Sequence, residues 1–243
     1  MPTLPVTPAE LAAALALVFA GSVVQGTIGF GLAVVAAPIL LLLDPVFVPG
    51  PMLLAAMLLV ILVALHERRD VIGQDIALAT FGRAVGTVPA AYAIGTLPPD
   101  AYEMLFAALV TLTVVLSVSG WNIRRTPANV FVASIVSGIA GTLSSIGGPP
   151  MALVYQHEAG PKIRGTLSAI FTIGTVVSIS GLWWAGRFGA VELTLGILMM
   201  PAVVAGFWLS RYTAGRLDRA HTRPAVLAIS IVSALAIVLR AML

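Results

Sequence analysis

The stretch Ser144-Ser145-Ile146-Gly147-Gly148-Pro149-Pro150 interrupts an apolar run that extends from Val130 to Tyr155. Two glycines followed by two prolines cannot continue an α-helix. Proline lacks the N–H, clashes with the preceding turn and pushes the residue before it out of the helical region. It does suit the first turn of a new helix. The segment therefore reads as helix, break, helix. Non-helical backbone at membrane depth persists only where protein buries it or water lines it. Ser144, Ser145 and the N–H groups of Gly147 and Gly148 would lie at the positive end of a half-helix begun by Pro149 and Pro150, a favourable place for an anion. A weaker copy lies upstream, where Gly21, Gly26, Gly29 and Gly31, followed by Pro38, interrupt the run Leu11 to Leu43. Gln25, Thr27 and Phe30 belong to that copy. Two interrupted segments at corresponding places in two halves point to a transporter binding site. The competing reading is that these small residues only let helices approach closely.

Composition agrees with a membrane setting. Of the 243 residues 59% are hydrophobic and 9% charged, against roughly 25% charged in soluble domains. The expected class is an all-α polytopic membrane protein with segments at Ala9–Leu43, Pro51–Leu65, Ile76–Leu97, Tyr102–Trp121, Ala128–Gln156, Leu167–Ala185, Val191–Leu209 and Ala225–Met242. The small net charge of +3 sits in short loops and speaks of topology, not of nucleic acid. There is no cysteine, so neither disulfides nor thiolate chemistry enters. Met1 to Glu10 carries no Lys or Arg, which argues against a cleaved signal peptide.

The halves resemble each other. Gly86 and Gly95 recur as Gly206 and Gly215, and Phe30-Gly31 lines up with Ile146-Gly147 at a shift of 116 residues. We read two four-segment repeats forming one integral membrane unit, residues 1–123 and 124–243. If all eight segments cross fully, the basic loop residues divide six against six. If the first and fifth segments dip in and return, Arg68, Arg69, Arg124, Arg125, Lys162, Arg164, Arg211, Arg216, Arg219 and Arg223 share one side against Arg187 and Arg240 on the other. Ten against two is what the positive-inside bias expects. The second repeat is then inverted relative to the first, each repeat begins with a Gly/Pro-broken re-entrant or interrupted helix, and both termini face outward.

The ten carboxylates fall at or near segment ends, which disfavours a proton relay through a central carboxylate. His66, His157 and His221 are scattered in loops, and no metal or other cofactor is expected. Intramembrane hydrolysis would need a base beside a serine, and none accompanies the serines here, so the chain does not read as an enzyme. Arg83 is the exception, a cation inside the third segment. It either neutralises an anion in a cavity or snorkels to the membrane edge. Ser168, Thr172, Thr175 and Ser178 fall near one face of the sixth segment, to line a cavity or to bond locally. Trp121, Trp183 and Trp184 sit at segment ends as interfacial residues.

At the two breaks the chain resembles the TauE/SafE family of sulfite exporters, also called the toluene sulfonate uptake permease group. The resemblance rests on Gln25-Gly26-Thr27-Ile28-Gly29-Phe30-Gly31 with Pro38, and on Gly138-Ile139-Ala140-Gly141 followed by Ile146-Gly147-Gly148-Pro149-Pro150. The entry Lys162-Ile163-Arg164-Gly165-Thr166 is similar in style. The chain has Ser145 where that family commonly has a glycine, and Leu32 where a third glycine is common. The resemblance implies movement of sulfite, thiosulfate or an organosulfonate across the bacterial inner membrane by an exporter or permease. On that reading Gln25, Gly26, Thr27, Gly29, Phe30, Gly31, Arg83, Ser144, Ser145, Gly147, Gly148, Pro149 and Pro150 bind the substrate at paired half-helix N-termini. The expected partners are the small anion and the lipid bilayer, and a homo-oligomer is compatible with such a chain. The rival readings are an anion channel of the same build and a non-transporting membrane subunit.

Overall fold

The structure, a computed structural model, describes residues 5–118 and 121–213. The described residues form helices without strands: α1 Pro8–Ile28, α2 Leu32–Leu43, α3 Gly50–His66, α4 Ile76–Thr96, α5 Pro99–Val118, α6 Pro127–Ser144, α7 Gly148–Val154, α8 Gly160–Trp184 and α9 Ala190–Thr213. Among the described residues, five spans are long and apolar enough to cross a membrane: Pro8–Ile28, Pro45–His66, Pro127–Ser144, Gly160–Trp184 and Ala190–Tyr212. The α4 and α5 helices, at 21 and 20 residues, match them in length. The expected eighth segment, Ala225–Met242, lies outside the described residues, as do Gly215 and Arg240.

Local chemistry explains the helix boundaries. Thr7 and Glu10 form a capping box at the start of α1, and Thr126 caps α6. Both long apolar runs break where the sequence analysis expects. α1 ends at Gly29 with φ 105°, and α6 ends at Ser145 with φ 64°, both in the left-handed region. These two residues are related by the same 116-residue shift, which explains why a glycine suits the second position too: a Cβ there costs roughly 1–2 kcal/mol. Gly31 and Gly147 then occupy the residue before α2 and α7 respectively.

After each break the chain folds back on itself. Leu32 lies against Gly21, where a Cβ would meet its carbonyl at 2.8 Å, and Gly31 lies against Val24. In the second hairpin Ser137 Oγ donates to the Gly147 carbonyl at 2.6 Å, and Ser134 Oγ lies 3.3 Å from Met151 Sδ. The α6–α7 hairpin starts and finishes at one end of the molecule. Arg125, just before α6, bonds Glu158 just after α7 at 3.1 Å, and Gln156 donates to the Trp121 carbonyl. Arg125 also pairs with Asp75 at the start of α4, and that hydrogen bond holds its guanidinium above the ordinary range. Glu67 and Arg164 pair at the same end, through Nε at 2.9 Å. The sequence puts Arg68, Arg69 and Arg124 in these same connections, and Lys162 in the first turn of α8.

The helix pairings come in matched sets. α1 packs on α9 as α6 packs on α4; α3 packs on α9 as α8 packs on α4; α3 and α8 face each other. Gly86 presses against the Ile135 carbonyl, and Gly206 against that of Phe19, which is 116 residues earlier. The α2 sequence LAVVAAPILLLL is apolar all round, and the helix is buried accordingly, in a core shared with α1, α3, α5 and α9. On the outside, Phe81, Val88, Tyr92 and Val132 are exposed, as a lipid-facing surface requires. Trp121, Trp183 and Trp184 are also exposed.

Candidate functional site

Both breaks meet at one cavity of about 40 Å³. One water needs at least roughly 10–15 Å³ of such space, so the cavity has room for a few waters or one small oxyanion. Phe30 of the first hairpin touches Gly148 of the second, where an added Cβ would meet the Phe30 Cβ at 2.9 Å. Leu53, Ala56 and Val60 of α3 line one wall, with Phe171 and Thr175 of α8. Arg83 of α4 supplies the charge.

Arg83 does not snorkel. It is 2% exposed, and its guanidinium runs inward across α6 and α8. Nη1 donates to Ser137 Oγ at 2.6 Å and lies 3.4 Å from the Ser137 carbonyl. Because Ser137 gives its own proton to Gly147, its hydroxyl acts as acceptor toward the arginine and ties it to the break. Cζ stands 5.0 Å from the Phe171 ring centroid, a cation–π contact. Room for the side chain comes from missing side chains: a Cβ at Gly174 would overlap Arg83 Nε, and one at Gly141 would lie 3.2 Å from Nη2. Nε has no hydrogen-bond partner. The ion pairs among the described residues join Arg125 to Asp75 and Glu158, and Arg164 to Glu67; none involves Arg83. An arginine buried without a carboxylate is costly, and an anion in the adjoining cavity would offset that cost.

Of the residues singled out in the sequence, Gln25, Phe30, Gly31, Arg83, Ser145, Gly147 and Gly148 line the cavity. Six others are not among its lining. Gly26 packs against Ser210 of α9. Thr27 Oγ1 donates to the Val23 carbonyl at 2.8 Å, and Ser144 Oγ to the Ala140 carbonyl at 2.7 Å. Gly29 faces Arg164. Pro149 and Pro150 lie buried in the first turn of α7. On α8, Thr175 reaches the cavity, whereas Thr172 bonds the Ser168 carbonyl and Ser178 joins a hydroxyl chain through Thr142 to Thr87.

The helix termini supply fewer donors than the sequence suggests. Pro149 and Pro150 start α7 but bring no N–H of their own. The Leu32 N–H at the start of α2 is engaged by Gln25 Oε1 at 3.0 Å, and Ser145 Oγ donates to the Pro49 carbonyl at 3.1 Å. The positive charge at the cavity is therefore carried by Arg83, and the lining also includes Gln25, Thr175 and Gly148. Sequence reasoning missed Ser137, Phe171 and Gly174. Ser137 looks no different in sequence from Ser134, which bonds its own helix at the Val130 carbonyl.

Long apolar helices and two broken hairpins that meet at a cavity beside a buried arginine define a multi-pass membrane protein. A family model described as Sulfite exporter TauE/SafE matches residues 13–237, nearly the whole chain. The chain belongs to that family, which is a family of membrane transporters for sulfur-containing anions and not of enzymes. Neither the curated proteins nor the solved structures yielded a match.

Proposed function

We propose that the protein carries a small sulfur-containing anion, such as sulfite, thiosulfate or an organosulfonate, across the bacterial inner membrane, with the anion held in the cavity at Arg83. The observation that carries this reading is the buried guanidinium without a carboxylate, at the meeting point of both breaks. Gln25, Thr175 and the Gly148 N–H add hydrogen bonds, and Ser137 and Phe171 hold the guanidinium in place. The two hairpins are re-entrant in the bilayer, with the Arg125–Glu158 end cytoplasmic. Residues 1–123 and 124–243 are inverted repeats that rock around the site. Support for the repeats comes from the exchanged packing of α1 on α9 and α6 on α4, and from the paired left-handed residues Gly29 and Ser145. The test is counterflow of labelled sulfite or sulfonate in liposomes holding purified protein. Wild type is expected to show counterflow, stimulated by unlabelled anion on the far side, with the membrane potential clamped, which a simple channel does not show. Arg83→Gln should lose roughly tenfold to hundredfold in affinity, given about 1.5–3 kcal/mol for a hydrogen bond to a charged group. Arg83→Lys should recover part of it, lacking the planar fork. Unchanged exchange by Arg83→Gln would remove the anion from this cavity.

A further inference from the structure

We infer that the cavity selects the charge state of its anion and takes singly charged species, which narrows the candidates above to organosulfonates and hydrogensulfite and leaves out the dianions sulfite and thiosulfate. This rests on the cavity at Arg83 being the transport site. Among the described residues lining the cavity, Arg83 is the one that ionises. The other basic residue near either break, Arg164, lies outside that lining and is paired with Glu67. Several donors that could spread a second negative charge are absent or engaged, and the polar groups that remain in the lining beside Arg83 are neutral. Pro149 and Pro150 have no N–H, the Leu32 N–H is held by Gln25, and the Ser145 hydroxyl points its proton at Pro49. The remaining polar side chains of the lining, Gln25, Ser145 and Thr175, are neutral, and much of the rest is apolar: Phe30, Val34, Leu53, Val60, Ile146 and Phe171.

A monoanion beside one guanidinium forms a neutral pair. A dianion leaves one charge uncompensated against hydrocarbon walls, where charge is costly. A singly charged headgroup with an apolar body also matches the aromatic and aliphatic wall, which strongly hydrated dianions do not. The walls do not discriminate sulfur from other central atoms, so charge state is the property read.

The experiment measures binding by calorimetry on monodisperse, detergent-purified wild-type protein, from mildly acidic to mildly alkaline pH. Three probes are compared: methanesulfonate, singly charged throughout; sulfate, doubly charged throughout; and sulfite, which loses its second proton within the range. Methanesulfonate should bind with little pH dependence and at least about tenfold tighter than sulfate. The apparent affinity for total sulfite should fall about tenfold per pH unit once the dianion dominates, as linkage requires for binding of the protonated form alone. Methanesulfonate corrects for any titration of the protein itself. Sulfate binding as tightly as methanesulfonate, or sulfite binding more tightly as pH rises, would overturn the charge-state inference while leaving an anion site. If none of the three binds, or if Arg83→Gln binds methanesulfonate like wild type, the functional reading itself fails and this inference with it.

Discussion

At the scale of single residues, the second break works through contacts that a methyl group would disturb. A Cβ at Gly148 meets the Phe30 Cβ at 2.9 Å, so Gly148→Ala must push the two hairpin tips apart at the cavity wall. Ser145→Ala removes one hydrogen bond to Pro49, worth about 0.5–1.5 kcal/mol. The expected order of damage to anion affinity is Gly148→Ala above Ser145→Ala. Leu54→Ala, at an apolar α3 position packed on Gly196, should chiefly lower stability. Calorimetry on monodisperse protein reads the order, and wild-type binding by Gly148→Ala would detach the site from this break. Arg83 shows how a residue changes meaning between sequence and fold. Its distance from the segment end permits snorkelling, but Ser137, 54 positions away in the chain, draws it inward.

Among the elements, the close helix pairs α4–α6 and α1–α9 depend on glycines that admit a backbone carbonyl. Gly86→Val and Gly206→Val would drive a side chain into the carbonyls of Ile135 and Phe19. Each should destabilise by at least about 1–3 kcal/mol, the usual range for overpacking. Gly95→Ala is the control, since its Cβ would find its nearest neighbour at an ordinary 3.6 Å. Thermal melts of the purified variants give the comparison, and a Gly206→Val protein as stable as Gly95→Ala would show that α1 and α9 do not meet this way. This also bears on the bland reading of the glycines. Gly26, Gly86 and Gly206 do serve helix packing, while Gly31, Gly141, Gly147 and Gly148 line the cavity.

For the whole molecule, the decisive question is how each hairpin sits in the bilayer. Arg125 and Glu158 bracket α6–α7 and are hydrogen-bonded to each other, and the expected arrangement is therefore a hairpin that enters and leaves the bilayer on one side. Single cysteines placed at Arg124 and at Lys162, in a chain with none of its own, should be labelled by a membrane-impermeant thiol reagent from the same, cytoplasmic face. Labelling from opposite faces would restore eight full crossings and remove the inverted repeat. The charge count over the loops and the Arg125–Glu158 contact rest on different physics, the first on insertion of basic loops, the second on packing of the finished chain, and the labelling tests both.

The helical membrane class and the places where its helices break were legible from sequence because their causes are local. Apolar runs of bilayer length and Gly or Pro at adjacent positions act on the backbone wherever they occur. Gln25, Phe30, Gly31, Ser145, Gly147 and Gly148 were legible for the same reason, being part of the breaks themselves. The remaining wall was not. Leu53, Ala56, Val60 and Phe171 read as ordinary apolar helix positions, and only the crossing of α3, α4, α6 and α8 turns them toward one space. Nor could sequence tell that the hydroxyls of Thr27 and Ser144 bond their own helices while Ser137 holds Arg83. A hydroxyl can satisfy itself on its own helix or across to another with similar energy, so the choice falls to long-range packing, and that exists only once the chain has folded.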